Sequence, residues 1–212
     1  MIRLHATRIR TDSDRRAARS DPVRQVSDSI RVGLLADTHI PEAGPDVWDE
    51  VLAAFDGVDL ILHGGDITVA RVLDTLEAVA PVYAAEGNHD IHLAADPRIE
   101  PVHHLTLAGH RVALVHRFGP VTRDIEWLLE QFVDGPRPDV VVCGDSHYER
   151  IDQLGDVLVI NPGSPTLPRN MSPRLGHVGM LTLTPGESPV AEIIDLADGR
   201  YAGLMPGHPP FA

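Results

Sequence analysis

The chain has 212 residues, 31 acids against 18 bases and a net charge of −13, enough length for one domain with a sizeable core and a charge that argues against tracking nucleic-acid phosphates or anionic membranes. Its single cysteine, Cys143, excludes an internal disulfide framework and fits a reducing compartment. No apolar run approaches the roughly 20 residues of a membrane span, and the start lacks the apolar core of a secretory signal, so the expectation is an acidic cytoplasmic protein.

Residues 1–31 carry eight Arg and four Asp with no sustained hydrophobic period. A stretch such as RTDSDRRAARSD buries too little apolar surface to offset its ordering entropy. Residues 1–29 are therefore expected to be a disordered extension, residues 30–200 the folded domain and residues 201–212 an irregular tail. Removing the +4 of residues 1–31 leaves −17 on residues 32–212.

From residue 30 short apolar runs alternate with helical periods. IRVGLLA (30–36) reads as a buried strand, and Val47, Val51, Leu52 and Phe55 mark one face of a helix near 46–55. DLILH (59–63) is a second strand, VARVLDTLEAV (69–79) an amphipathic helix and PVYAAE (81–86) a third strand. This βαβαβ order predicts a mainly parallel sheet covered by helices. VHHLTLAGHRVALVH (102–116) reads as a hairpin turning at Ala108-Gly109, followed by a helix near 121–132. Strands at 139–143, 150–161, 177–184 and 189–195 complete the pattern, with turns at Gly155-Asp156 and Pro185-Gly186-Glu187. The mixture predicts an α/β fold of two packed sheets, each with helices on its outer side.

Five of these strands end in polar clusters. IRVGLLA runs into Asp37-Thr38-His39, DLILH into Gly64-Gly65-Asp66, and PVYAAE into Gly87-Asn88-His89-Asp90. RVALV ends in His116, and DVVVC in Gly144-Asp145-Ser146-His147. Ligands of open α/β sheets collect outside the carboxyl ends of the strands, so residues far apart in sequence are expected to meet in one crevice. A lone Asp or Asn after a strand is ordinarily a turn former, and a lone His a structural group. Five clusters sharing one placement point instead to a site. Carboxylate, imidazole and amide oxygen suit Mn²⁺, Fe²⁺, Zn²⁺, Ni²⁺ or Mg²⁺ better than they suit soft thiolate chemistry. His63 and His92 stand near enough in sequence to brace that site.

In this order the motifs Asp-x-His, Gly-Asp, Gly-Asn-His-Asp, a strand-end His and Gly-x-x-His resemble those of the calcineurin-like metallophosphoesterases. The chain length and Asn161-Pro162-Gly163-Ser164 are similar to the small single-domain phosphodiesterase branch of bacteria and archaea. The resemblance implies a four-layer αββα sandwich of two mixed β-sheets and a dinuclear centre of two divalent metal ions, Mn²⁺ foremost. It assigns one ion to Asp37, His39, Asp66 and His147. The other falls to Asn88, His116 and Asp145, with Asp66 shared between them. His89 becomes the general acid oriented by Asp90, and Asn161 to Ser164 shape the rim. The implied activity is hydrolysis of the phosphodiester bond in a small phosphoester substrate by a metal-bridging hydroxide. A phosphomonoesterase on the same site and a non-catalytic interaction scaffold of the same fold are the alternatives; a homo-oligomer is compatible with all three. The family usually has His where Asp145 stands and Gly where Arg117 follows His116.

Overall fold

The computed structural model describes residues 29–200. Apart from Ser29, the expected extension 1–29 and tail 201–212 lie outside those residues. Two helices and three strands open the domain: β1 (Ile30–Leu35), α1 (Asp49–Ala54), β2 (Leu60–His63), α2 (Arg71–Glu77) and β3 (Val82–Ala85). A two-residue strand β4 (Ile99–Glu100) precedes the hairpin β5 (Val102–Leu107) and β6 (His110–Val115). Helix α3 (Ile125–Phe132), β7 (Val140–Val142), the hairpin β8 (Glu149–Leu154) and β9 (Val157–Pro162), and the hairpin β10 (His177–Leu183) and β11 (Val190–Asp195) follow.

The strands form two mixed sheets. The six-stranded sheet has the order β11-β10-β1-β2-β3-β4 and the five-stranded sheet β5-β6-β7-β9-β8. In the first, β1 to β4 run parallel while β10 and β11 are antiparallel. In the second, β6, β7 and β9 run parallel between antiparallel edges.

Side chains alternate across each strand with period two, which sorts the apolar residues into three layers. Val32 and Leu34 of β1, Leu60 and Leu62 of β2, Leu114 of β6 and Val140 and Val142 of β7 fill the space between the sheets. Ile61, Val82 and Ala84 turn outward and pack under Val51 of α1 and Val72, Leu73 and Leu76 of α2. Ala113, Val141 and Val159 do the same under Leu128 of α3. Burial on both faces is why these strands read as unbroken apolar runs. The result is the expected helix–sheet–sheet–helix sandwich, with a thin helical cover. Among the described residues, no helix is long and apolar enough to cross a membrane.

Helix α3 starts at Ile125, four residues after the periodicity suggested, because the Asp124 carboxylate accepts the Glu126 N–H at 2.9 Å and caps the first turn. The parallel strands β1, β2 and β3 point their carboxyl ends to one side, and β6 and β7 bring theirs to the same edge of the sandwich. The backbones of the two sheets nearly touch there. A Cβ on Gly64 would lie 3.0 Å from the Cys143 carbonyl oxygen, so a side chain at that position would push the sheets apart.

Candidate metal centre

Each residue singled out from the sequence leaves the sheet just after a strand end. Asp37 and His39 follow β1, Asp66 follows β2, Asn88 and His89 follow β3, His116 follows β6, and Asp145 and His147 follow β7. The backbone is unusual at these points. Asp37, His39, Asp66, Thr68, Asp145 and His147 all have positive φ, between 45° and 69°, a region that non-glycine residues enter at a cost. Six such residues in one place are backbone strain held by the surrounding fold, and strain of this kind gathers at functional sites.

The side chains converge. His39 Nε2 lies 3.2 Å from His147 Nε2 and 3.4 Å from Asp66 Oδ2. On the other side of Asp66, Oδ1 lies 3.5 Å from His116 Nε2, which stands 3.1 Å from Asn88 Oδ1. Ligand atoms of Asp37, His39 and His147, of Asp37, Asp66 and His116, and of His39, Asp66 and His89 form three groups, each within 4.8 Å. Asp66 belongs to two of them and joins the halves of the site.

The tautomers follow from the partners. His116 Nδ1 donates to the Gly64 carbonyl at 2.7 Å, and His147 Nδ1 donates to the Leu167 carbonyl at 2.8 Å. A carbonyl can only accept, so the neutral rings carry their protons on Nδ1 and aim the Nε2 lone pairs into the cluster. Metal-binding histidines are commonly held this way. Asp37 is fully buried, and its Oδ2 has no hydrogen-bond partner. Burial, with the Asp66 carboxylate next in weight, holds its pKa well above the usual carboxylate range. Burial likewise lowers the pKa of His39. Carboxylate oxygens, an amide oxygen and imidazole lone pairs thus face one another in a site where burial disfavours the charged forms of both Asp37 and His39. Such a donor set suits a divalent cation.

Asp145 stands apart. Its side chain is 39% exposed, its Oδ1 lies 3.8 Å from His116 Nε2, and its Oδ2 lies 3.6 Å from Arg117 Nε. His89 is exposed at the mouth, its ring edge-on to that of His39 at 5.0 Å between centroids, while its backbone N–H donates to Asp66 Oδ1 at 3.0 Å.

Two expected supports act differently. Asp90, expected to orient His89, is fully buried and accepts the backbone N–H groups of Ile67, Thr68 and Gly87 at 2.8–3.0 Å. It ties the Asp66 and Asn88 loops together. Asn161 and Ser164, expected at the rim, are buried beneath the site. Asn161 Nδ2 donates to the Gly144 carbonyl and Ser164 Oγ to the Asp37 carbonyl, both at 2.7 Å, bracing two ligand loops. His63 and His92 also brace the loops. His63 Nδ1 accepts the Gly65 N–H at 3.1 Å, which leaves Nε2 to donate to Thr38 Oγ1, also at 3.1 Å. Burial lowers the His63 pKa to about 3, so this ring stays neutral. His92 Nε2 donates to the Thr68 carbonyl at 2.8 Å. Thr166 braces the same loop as His63, its hydroxyl donating to the Thr38 carbonyl at 2.7 Å, and nothing local in the sequence marks it.

Gly87 is packed against the residue that joins the two halves. A Cβ there would overlap Asp66 N and Oδ1. Gly87→Ala is therefore expected to displace Asp66 and weaken metal binding about tenfold or more, the scale on which the surroundings of a ligand matter. Calorimetric titration with Mn²⁺ measures this.

A family model for the calcineurin-like phosphoesterase superfamily domain matches residues 30–186. The chain is 36% identical over 169 residues to a probable metallophosphoesterase of Methanothermobacter thermautotrophicus, covering 77% of this chain and 91% of that one. Among solved structures it is similar to Vacuolar Protein Sorting 29 from Cryptosporidium parvum, with a TM-score of 0.66 and 23% identity over 82% of this chain and 94% of that one. It is also similar to a protein described as a novel archaeal phosphodiesterase, with a TM-score of 0.57 and 20% identity over 78% of this chain and 100% of that one.

Proposed function

We propose that this chain, which belongs to the calcineurin-like phosphoesterase superfamily, hydrolyses phosphodiester bonds at a centre of two divalent cations, Mn²⁺ foremost. Asp37, His39, Asp66 and His147 hold one cation; Asp66, Asn88, His116 and Asp145 hold the other. The observation that carries this reading is the donor set on both sides of Asp66, in which Asp37, Asp66, His116 and His147 are buried and Asp37 Oδ2 is unpartnered. A scaffold of the same fold that had lost the chemistry would be expected to have lost several of these ligands.

When bound, the cations neutralise the phosphoryl oxygens and supply a hydroxide nucleophile near neutral pH. The chain's own residues do the rest. His116 and His147 keep their lone pairs aimed inward because Nδ1 of each is tied to a carbonyl. The Asp66 carboxylate is steadied by the His89 N–H and stays available to both halves. The His89 ring stands at the mouth, where it gives a proton to the departing alkoxide oxygen as the P–O bond breaks. His89, Asp145 and Arg117 stand exposed at the mouth, and the described residues leave little chain for a cap, which favours small substrates. The likeness to a described archaeal phosphodiesterase supports diesters as the substrate class.

The test is a metal-by-substrate matrix on chelator-stripped protein: Mn²⁺, Ni²⁺, Mg²⁺ and Zn²⁺ against bis(p-nitrophenyl) phosphate, p-nitrophenyl phosphate and cyclic nucleotides. Diester turnover restored best by Mn²⁺ is the expected result. Faster turnover of the monoester would make the chain a phosphomonoesterase, and no turnover with any metal would leave the scaffold.

A further inference from the structure

Arg117 follows His116 directly at the end of β6, and its side chain is 72% exposed at the mouth of the site. Its one ion pair among the described residues is to Asp145, from Nε to Oδ2 at 3.6 Å. The Asp145 backbone N–H donates to Asp37 Oδ1 at 3.1 Å, anchoring that loop to the site floor. Asp145 therefore turns one oxygen towards His116 and the other towards Arg117. The two Nη groups of Arg117 are left unspent, and they are the part of a guanidinium that matches a phosphate group.

We propose that Arg117 is a substrate-binding residue whose Nη fork takes a non-bridging phosphoryl oxygen, with Asp145 as the residue that positions it. This rests on the two-metal phosphodiesterase reading above. Two physical reasons favour it. A net charge of −13 opposes an approaching anion, and a cation at the mouth offsets that repulsion where the substrate enters. An arginine stem is flexible, and pinning Nε to a carboxylate on an anchored loop reduces the ordering that binding would otherwise require. The two departures from the family pattern, Asp145 and Arg117, thereby become one unit.

The experiment uses full-length, Mn²⁺-loaded protein with inorganic phosphate as the probe, comparing wild type, Arg117→Ala and Arg117→Lys. Elemental analysis reads metal content, calorimetry reads phosphate affinity, and steady-state kinetics on bis(p-nitrophenyl) phosphate read KM. Arg117→Ala should keep its metal while its phosphate dissociation constant and KM rise about tenfold, the scale of one charge-assisted contact at an exposed site. Arg117→Lys should lie between, because it keeps the charge and loses the fork. Wild-type phosphate affinity and KM in Arg117→Ala would overturn the proposal while leaving the phosphodiesterase reading intact; so would metal loss in that variant, which would give Arg117 a role in the metal site. A wild type that binds phosphate more tightly than Arg117→Ala yet hydrolyses no diester would overturn the phosphodiesterase reading and leave Arg117 as an anion contact.

Discussion

Asp66→Asn is expected to reduce diester hydrolysis to background and to weaken binding of both cations by more than about a hundredfold. Asp66 is buried, with its two carboxylate oxygens 3.4 Å from His39 Nε2 and 3.5 Å from His116 Nε2, so its two oxygens face imidazoles in both halves of the site. The amide is the same size, which keeps the loop in place, but it removes one negative charge. It also turns an NH₂ group towards one of those imidazoles or towards the His89 N–H. Changes beside a ligand already cost about 10- to 100-fold in metal affinity, and here the ligand itself is lost. Calorimetry with Mn²⁺ checks the prediction. A variant that keeps one tight cation would show that the halves are independent.

His89→Ala is expected to behave differently, keeping its metal content while turnover falls by about 10²- to 10⁴-fold, the range of general acid catalysis. The substitution removes a ring at the mouth but not the backbone N–H that steadies Asp66, so the donor set beneath is preserved. The loss should grow as the leaving group becomes more basic, since a good leaving group needs no proton. A ring nitrogen of His89 also lies within 4.8 Å of ligand atoms of His39 and Asp66. Metal loss in His89→Ala would accordingly make His89 a ligand and remove it as the acid.

How much of this was legible in the sequence depended on whether the signal was local. The strands were readable because both faces are buried, which turns β1, β2, β6 and β7 into continuous apolar runs. The Ala108-Gly109 and Gly155-Asp156 turns were readable because tight hairpins demand those residue types. The strand-end Asp, Asn and His residues could be assembled into one site because parallel strands send their carboxyl ends the same way.

Other features had no local signal. The two-residue β4 is too short to show a period. That the sheets approach closely enough for Gly64 to need no side chain is a property of their docking. Asp90 looked like a partner for its neighbour His89, and only the folded loops place three backbone N–H groups around its carboxylate. Asn161 and Ser164 looked like rim residues, yet Asn161 near the end of β9 and Ser164 two residues beyond it are buried under the loops they brace. Asp145 and Arg117 stood out singly as departures from a familiar pattern. Their pairing joins residues 28 positions apart and is visible only in three dimensions.

A single titration shows whether a two-cation centre drives diester hydrolysis. Chelator-stripped protein is titrated with Mn²⁺ in the presence of bis(p-nitrophenyl) phosphate, with bound metal counted at each point by equilibrium dialysis and elemental analysis. Two bound ions per chain at saturation, with hydrolysis rising as the second site fills, is the expected result. Hydrolysis by the metal-free chain, full activity with one bound ion, or saturation without hydrolysis would contradict it.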